Sequence, residues 1–480
     1  MRNLKDVYFG CIDADTEASR KPDVFQAVFF DPLNHVDELI DGDKFIIRGR
    51  KGDGKTAYSA KIKLMKDSTS IRPVQKSLSD FDNSTFEIIK TNPHFTGNLY
   101  VSFWKCIIMI ECAKMIYENQ PHISEQNFVD LIGALDTHGL LKKGNNISHT
   151  IKRLVETNTA LSIHGFGHKR KYQHQKNLHG AEEIYSAICR TLEPLHSPND
   201  KFILIIDGLD DVLHHLELSP DIIIGLLRAT QDINTRFAKA NLSLKVLLLI
   251  RDDIFDLCID PNISKMKYDS AIPLSWEVND DRENSSLIQL VKKRFHYTWG
   301  TDDAFLDIWR ELFVESIDGK TSFEYVLENM RYRPRDILQF FAEAQKVYQP
   351  HTIISAGQLK TILSNYSKGY FYDAMTDELA GFFSGHVVRT LPQVLGQLRS
   401  HCFYLAAFDE ECKKRPEFEN ISAAAILKRL FDCGFVGQYR SIAGRDTDYV
   451  VFSYRNQRER FIETDQCIVH RGLQRALTLL

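Results

Sequence analysis

The chain has no C-x-x-C pair. Its nine cysteines are scattered from Cys11 to Cys467, which excludes a zinc ribbon and a disulfide scaffold and fits a reduced compartment. No apolar stretch approaches the ~20 residues needed to span a bilayer. The most hydrophobic run, Phe103 to Cys112, is broken by Lys105 and Glu111 and reads as a buried helix. Met1-Arg2-Asn3-Leu4-Lys5-Asp6 runs straight into polar sequence with no secretory pattern. An N-K-x-D base-specificity motif is also missing, which sets a GTPase switch aside. Net charge is small, at −4, so the chain is not a general coat for nucleic acid, although local basic patches remain open. These absences point to a cytoplasmic protein with no membrane association. What remains is ordinary for soluble globular sequence: 480 residues, 43% hydrophobic and 26% charged, enough for two or three domains.

Against that plain background one stretch stands out. Gly49-Arg50-Lys51-Gly52-Asp53-Gly54-Lys55-Thr56 satisfies every fixed position of G-x-x-x-x-G-K-[ST]. The apolar Phe45-Ile46-Ile47 before it reads as a buried strand, and Thr56-Ala57-Tyr58-Ser59-Ala60-Lys61-Ile62 after it as the first turns of a helix. Glycines let backbone wrap a phosphate chain, and amides at a helix start aim N–H groups and the positive dipole end at it. Gly49, Gly52, Asp53, Gly54, Lys55, Thr56 and Ala57 are therefore expected to bind ATP. Lys55 would reach the β- and γ-phosphates, and the Thr56 hydroxyl would hold Mg²⁺.

A second motif lies about 150 residues downstream, more than a minimal core requires, so an insertion is expected between the two. Lys201-Phe202-Ile203-Leu204-Ile205-Ile206-Asp207 is a strand covered on both faces that ends in a carboxylate. Asp207 would bind Mg²⁺, and Asp210 or Asp211 just beyond would orient the attacking water. The competing reading is an Asp-rich turn capping a helix from Val212 to Leu218.

These residues carry a resemblance. Asp207-Gly208-Leu209-Asp210-Asp211 looks like the Walker B of the NACHT group of STAND ATPases, with the two acidic positions filled by Asp210 and Asp211. Val246-Leu247-Leu248-Leu249-Ile250-Arg251 is similar to the next core strand of that class, which implies a nucleotide-state sensor at Arg251. Arg333-Pro334-Arg335-Asp336 resembles the sensor-2 region in the helical lid of AAA+ and STAND proteins, which implies that Arg333 or Arg335, with Arg335 favoured, reaches the nucleotide. Tyr8-Phe9-Gly10-Cys11-Ile12-Asp13-Ala14-Asp15 fits the N-terminal motif of a bacterial family of P-loop ATPases, many from mobile or defence-associated loci. The likeness is specific at these islands only.

The expected fold is an α/β P-loop NTPase core, a parallel sheet with flanking helices, followed by a helical lid and a C-terminal winged helix. Boundaries are placed at 1–40 for an N-terminal extension, 41–275 for the core with its insertion near 118–180, 276–374 for the lid and 375–480 for the winged helix. Core strands are expected near 44–48, 202–207 and 245–250, with others around 85–90 and 98–103. Phe25, Val28, Phe29 and Phe30 are expected to pack the extension on the sheet. His164, His168, His174 and His179 match no zinc spacing. With Lys169, Arg170, Lys171 and Lys176 interleaved, they read as a solvated loop or a contact for phosphate or a partner.

Two functions fit these features. In one, the chain is a STAND-like switch: slow ATP hydrolysis with Mg²⁺ alters the packing of lid and winged helix, and with it homo-oligomerisation and an effector partner, in the setting of anti-phage defence. No nuclease, protease or TIR-like signature is present, so the effector would be a separate protein. In the other, the chain is a DNA-directed AAA+ ATPase gripping duplex through the winged helix, using Lys428, Arg429, Arg440, Arg445 and Arg455, and through the basic loop.

Overall fold

The computed structural model describes residues 2–67, 69–78, 97–120, 122–141, 150, 179–195, 200–208, 220–276, 282–380, 382–441, 449–456 and 458–479. They fall into two compact units. A sheet unit comprises Leu33–Arg50 and Lys55–Leu274, and a helical unit comprises Met1–Pro32, Lys51–Gly54 and Ser275–Leu480.

The sheet unit is built on five parallel strands, β1 (Ile46–Gly49), β2 (Ile71–Ser77), β3 (Lys201–Asp207), β4 (Leu244–Arg251) and β5 (Ala271–Pro273), in the order β2-β3-β4-β1-β5. The runs Phe202–Ile206 and Val246–Ile250 are buried throughout, as expected of central strands covered on both faces. The sheet unit is thus α/β, a parallel sheet flanked by helices. Register places Gly49 beside Arg251 and Ser77 beside Asp207, so these four residues share the carboxyl edge of the sheet, where ligands of open α/β sheets bind.

Strands β2 and β5 are additions to the sequence reading. β2 is polar, Ile-Arg-Pro-Val-Gln-Lys-Ser, and takes the sheet edge, where Pro73 is tolerated without an N–H. The strand expected at 98–103 is a correction: these residues belong to the helix Gly97–Asn119. Tyr100 and Val101 favour strands intrinsically, but packing decides here. Gly225 on the helix Pro220–Lys239 lets Tyr100 approach so closely that a Cβ there would lie 2.5 Å from Tyr100 Cβ, and Trp104 Nε1 donates to the Ile222 carbonyl at 3.0 Å. The strand expected at 85–90 lies outside the described residues.

In the helical unit an aromatic core joins the N-terminal motif to the segment after residue 285. Phe9 stacks on Phe341 with ring centroids 4.7 Å apart, and Trp309 stacks on Phe313 at 4.0 Å. Asp13 caps the helix Ala14–Arg20, its carboxylate accepting from Thr16 N. Glu17, buried against Arg294, accepts from Cys11 N. Residues Met1–Pro32, expected on the sheet, therefore belong to the helical unit: Phe30 lies against Trp276, and Lys293 donates to the Phe29 carbonyl. A short hairpin of β6 (Ser316–Ile317) and β7 (Lys320–Thr321) turns on Asp318-Gly319, both at positive φ, as a tight two-residue turn demands.

The carboxyl end of this unit carries helices Gly385–Gln397, Leu405–Lys413 and Ala423–Asp432. With them goes an antiparallel sheet of β8 (Cys402–Phe403), β9 (Val436–Arg440), β10 (Tyr449–Val451) and β11 (Cys467–Val469), ordered β10-β9-β11-β8. Gly434 ends the third helix at φ +78, and a Cβ there would meet the Tyr454 ring at 2.7 Å. The expected turn at Gly444-Arg445-Asp446 lies outside the described residues. All nine cysteines are free thiols. Among the described residues no helix is long and apolar enough to cross a membrane.

Candidate nucleotide-binding site

Gly49 closes β1, and Lys55 opens the helix Lys55–Leu64. Between them Gly52 and Gly54 adopt φ +92 and +100, a region that a side chain makes costly. The loop thus turns back on itself between strand and helix. Lys55 is buried, and its ammonium donates to the carbonyls of Gly49 at 2.9 Å and Arg50 at 3.1 Å. Both acceptors are neutral carbonyls. Thr56 and Ala57 come next in the first turn, half-buried.

Asp207 stands at the end of β3. Its Oδ1 accepts from Gly208 N at 2.7 Å and its Oδ2 from Gln75 Nε2 at 3.3 Å. Ser59 Oγ, on the helix after the loop, donates to Gln75 Oε1 at 3.5 Å. Gln75 therefore stands between that helix and the carboxylate. Sequence reading missed it, and the only signal was its place in an unrecognised strand two residues before the one paired with Asp207. Hydroxyl and carboxylate oxygens at Thr56 and Asp207 suit Mg²⁺, which takes few protein ligands and shares the rest with phosphate and water. Among the described residues there is no cluster of three or more His, Cys, Asp or Glu that would hold a metal without phosphate. Asp210 and Asp211 lie outside the described residues, as do His164, His168 and His174, while His179 opens the helix His179–Leu192.

Arg251, beside Gly49 on the sheet edge, is 4% exposed and fixed by a two-point pair: Nε to Asp253 Oδ1 at 3.0 Å and Nη2 to Asp253 Oδ2 at 2.7 Å. Its neighbour Asp252 takes Arg48 at 2.7 Å. Burial pushes the Asp252 carboxyl up, against the pull of Arg48, Lys55 and Arg50.

In the helical unit the Arg-Pro-Arg-Asp segment begins the helix Pro334–Val347, with Pro334 in its first turn. Its members divide. Arg333 is buried and donates to Glu378 Oε1 at 2.6 Å and to the Cys433 carbonyl at 3.4 Å. Asp336 accepts from Arg331 N at 3.0 Å and from the Tyr370 hydroxyl at 2.7 Å. Burial pushes the Asp336 carboxyl up, but Arg331 and Arg333 overcome this and hold it below its usual range. Arg335 is half-buried. The position a Cβ of Gly52 would take lies 3.5 Å from Arg335 Cβ and 3.7 Å from Arg333 Cδ. Trp276 Nε1 donates to the Asp53 carbonyl at 2.8 Å. Lys51–Gly54 therefore packs against the helix start that carries both arginines.

Residues 285–374 match the FunZ-associated C-terminal helical domain family. The chain is also similar to the putative transposon gamma-delta 80.3 kDa protein of Escherichia coli K12, at 23% identity over 95% of this chain and 65% of that protein. It thus spans just under two thirds of that relative's length. Cdc6p of Pyrobaculum aerophilum, a solved structure, aligns over 90% of this chain and 89% of its own at 13% identity, with a TM-score of 0.30.

Proposed function

We propose that the chain is a STAND-like ATPase that binds ATP with Mg²⁺, hydrolyses it slowly and uses the nucleotide state to set domain packing. The observation that carries this reading is the Lys55 ammonium, buried in a loop with two left-handed glycines and bonded to carbonyls of that loop. Lys55 and the amides of the loop and helix start would hold the β- and γ-phosphates. Thr56 and Asp207 would hold Mg²⁺, which when bound neutralises charge developing on the transferred phosphoryl group. Asp210 or Asp211 would orient water, and Arg251 and Arg335 would report phosphate state.

In this reading residues 41–275 form the core, 276–374 a lid that contains the family match, and 375–480 a winged helix, with 1–40 as an N-terminal extension. Homo-oligomerisation and an effector protein would complete the switch, and anti-phage defence is the setting that the sequence resemblance implies. The deciding experiment measures ATPase rate and oligomer mass together for wild type and Lys55→Ala. Nucleotide-dependent assembly lost in the variant supports the switch, whereas rapid turnover by a strict monomer refutes it.

The transposon origin named for the relative favours a second reading, a DNA-directed ATPase. Side-chain chemistry weighs against it at the basic residues expected to grip duplex. Lys428 pairs with Asp432, Arg440 pairs with Asp465, and Arg429 lies over the Phe382 ring. Arg455 sits within 5.7 Å of the ring centres of Phe452, Tyr454 and Tyr332. Arg445 lies outside the described residues. Duplex-stimulated, salt-sensitive turnover would reverse this ranking.

A further inference from the structure

Arg333 is held by a carboxylate although its stem passes the P-loop tip. Its Cδ lies 3.7 Å from the Cβ position of Gly52, yet its guanidinium is turned onto Glu378, 2.6 Å away. Glu378 is 4% exposed, and the same oxygen, Oε1, also takes Arg331 at 2.7 Å. Two buried guanidiniums thus converge on one carboxylate oxygen. Among the described residues Arg333 Nε and the fully buried Tyr366 hydroxyl have no hydrogen-bond partner. A buried network left partly unsatisfied is costly, and unpaired groups of this kind call for an explanation such as a second arrangement in which they are paired.

The backbone supplies a route to that second arrangement. Between the helices Ala356–Tyr366 and Tyr372–Leu379 the chain runs as a π-helix, Ser367–Phe371. Such segments carry one surplus residue and recur at functional sites. Passing the surplus along the helix rotates the downstream residues by about 100°, enough to swing Glu378 off the arginines. Tyr366 and Tyr370 flank this segment, and Tyr370 is bonded to Asp336 in the same network.

We propose that Glu378 is an internal stand-in for phosphate. It occupies Arg333 in the resting state, and an anion bound at the P-loop exchanges with it, releasing the helix Tyr372–Leu379 from the start of the helix Pro334–Val347. The proposal rests on the nucleotide-binding reading above and adds the autoinhibitory contact that nucleotide must break.

Titration of the full-length chain with ATPγS and Mg²⁺ tests it. Glu378→Gln removes the competing charge and should tighten ATPγS binding about tenfold, within the range typical of coupled equilibria. That gain should vanish when Arg333→Ala is added, because the two residues act through one pair. If Glu378→Gln does not fold, the wild-type chain still decides the matter. ATPγS should raise amide hydrogen exchange across Ser367–Leu379, and unchanged exchange with saturating ATPγS overturns the proposal. A lower melting temperature for Glu378→Gln with unaltered affinity also overturns it. Equal affinity of wild type and Lys55→Ala for ATPγS would instead overturn the nucleotide reading, and this proposal with it.

Discussion

The Lys55 ammonium donates to the Gly49 carbonyl six residues back, at 2.9 Å, closing the loop between β1 and its helix. Two neutral carbonyls hold this buried amine and shape the loop; in the proposed reading it is the group that meets phosphate. Lys55→Ala is expected to lower ATP turnover by at least about 100-fold, the loss typical when one charge-stabilising donor is removed from a catalytic site. Thermal stability without nucleotide should change little. Isothermal titration with ATPγS and a coupled ATPase assay check both halves.

Gln75 bridges Ser59 and Asp207, so it sets the direction in which one carboxylate oxygen points. Gln75→Leu keeps the bulk of the side chain and removes the donor. The expected result is a several-fold higher Mg²⁺ requirement and a kcat reduced about tenfold, in keeping with losses on removing an outer-shell partner of a metal ligand. Magnesium-free nucleotide binding should be unaltered. A magnesium titration of the ATPase rate distinguishes this from a general loss of fold.

The two arginines of the Arg-Pro-Arg-Asp segment should separate by assay. Arg333→Ala leaves Glu378 buried with one partner fewer, and breaking a buried pair costs about 3–5 kcal/mol; a marked drop in urea midpoint is expected. Arg335 is half-buried, so Arg335→Ala should cost under about 1 kcal/mol while reducing nucleotide-dependent assembly. Equal stability losses for the two variants would contradict this division.

The local geometry of the candidate site was legible because a G-x-x-x-x-G-K-[ST] pattern between an apolar run and a helical one fixes where strand, loop and helix fall. Gly52 and Gly54 sit at positive φ, Lys55 opens the helix, and Asp207 ends a buried apolar strand. The features that escaped were set by tertiary context. β2 is an edge strand with one polar face and a proline, so its period is blurred, and Gln75 was hidden with it. Residues 98–103 carry strand-forming side chains but are helical because Gly225 admits a second helix against them. The pairing of Arg333 with Glu378 spans 45 residues, and nothing local in either segment announces it. Arg251 was legible as a residue at the sheet edge, but its capture by Asp253 depends on the turn after β4.

His470 gives the helical unit an acid-sensitive joint. Its ring is buried, with Nδ1 accepting from Gly472 N at 3.0 Å and Nε2 lying 3.1 Å from the Tyr454 hydroxyl. Burial, with Arg331 and Arg455 adding repulsion, pushes its pKa down to about 3. The unfolded chain takes up a proton here as pH falls through about 6.5, whereas the folded chain stays neutral until about 3. The stability contributed by the neutral ring is therefore complete above about pH 6.5 and is lost on acidification, at about 1.4 kcal/mol per pH unit once the unfolded ring is charged. His470→Gln lacks the titrating group. Its urea midpoint should start lower at pH 7.5, and its decline between pH 6 and pH 5 should be shallower than that of wild type. Parallel slopes for the two proteins would show that His470 is not the group responsible.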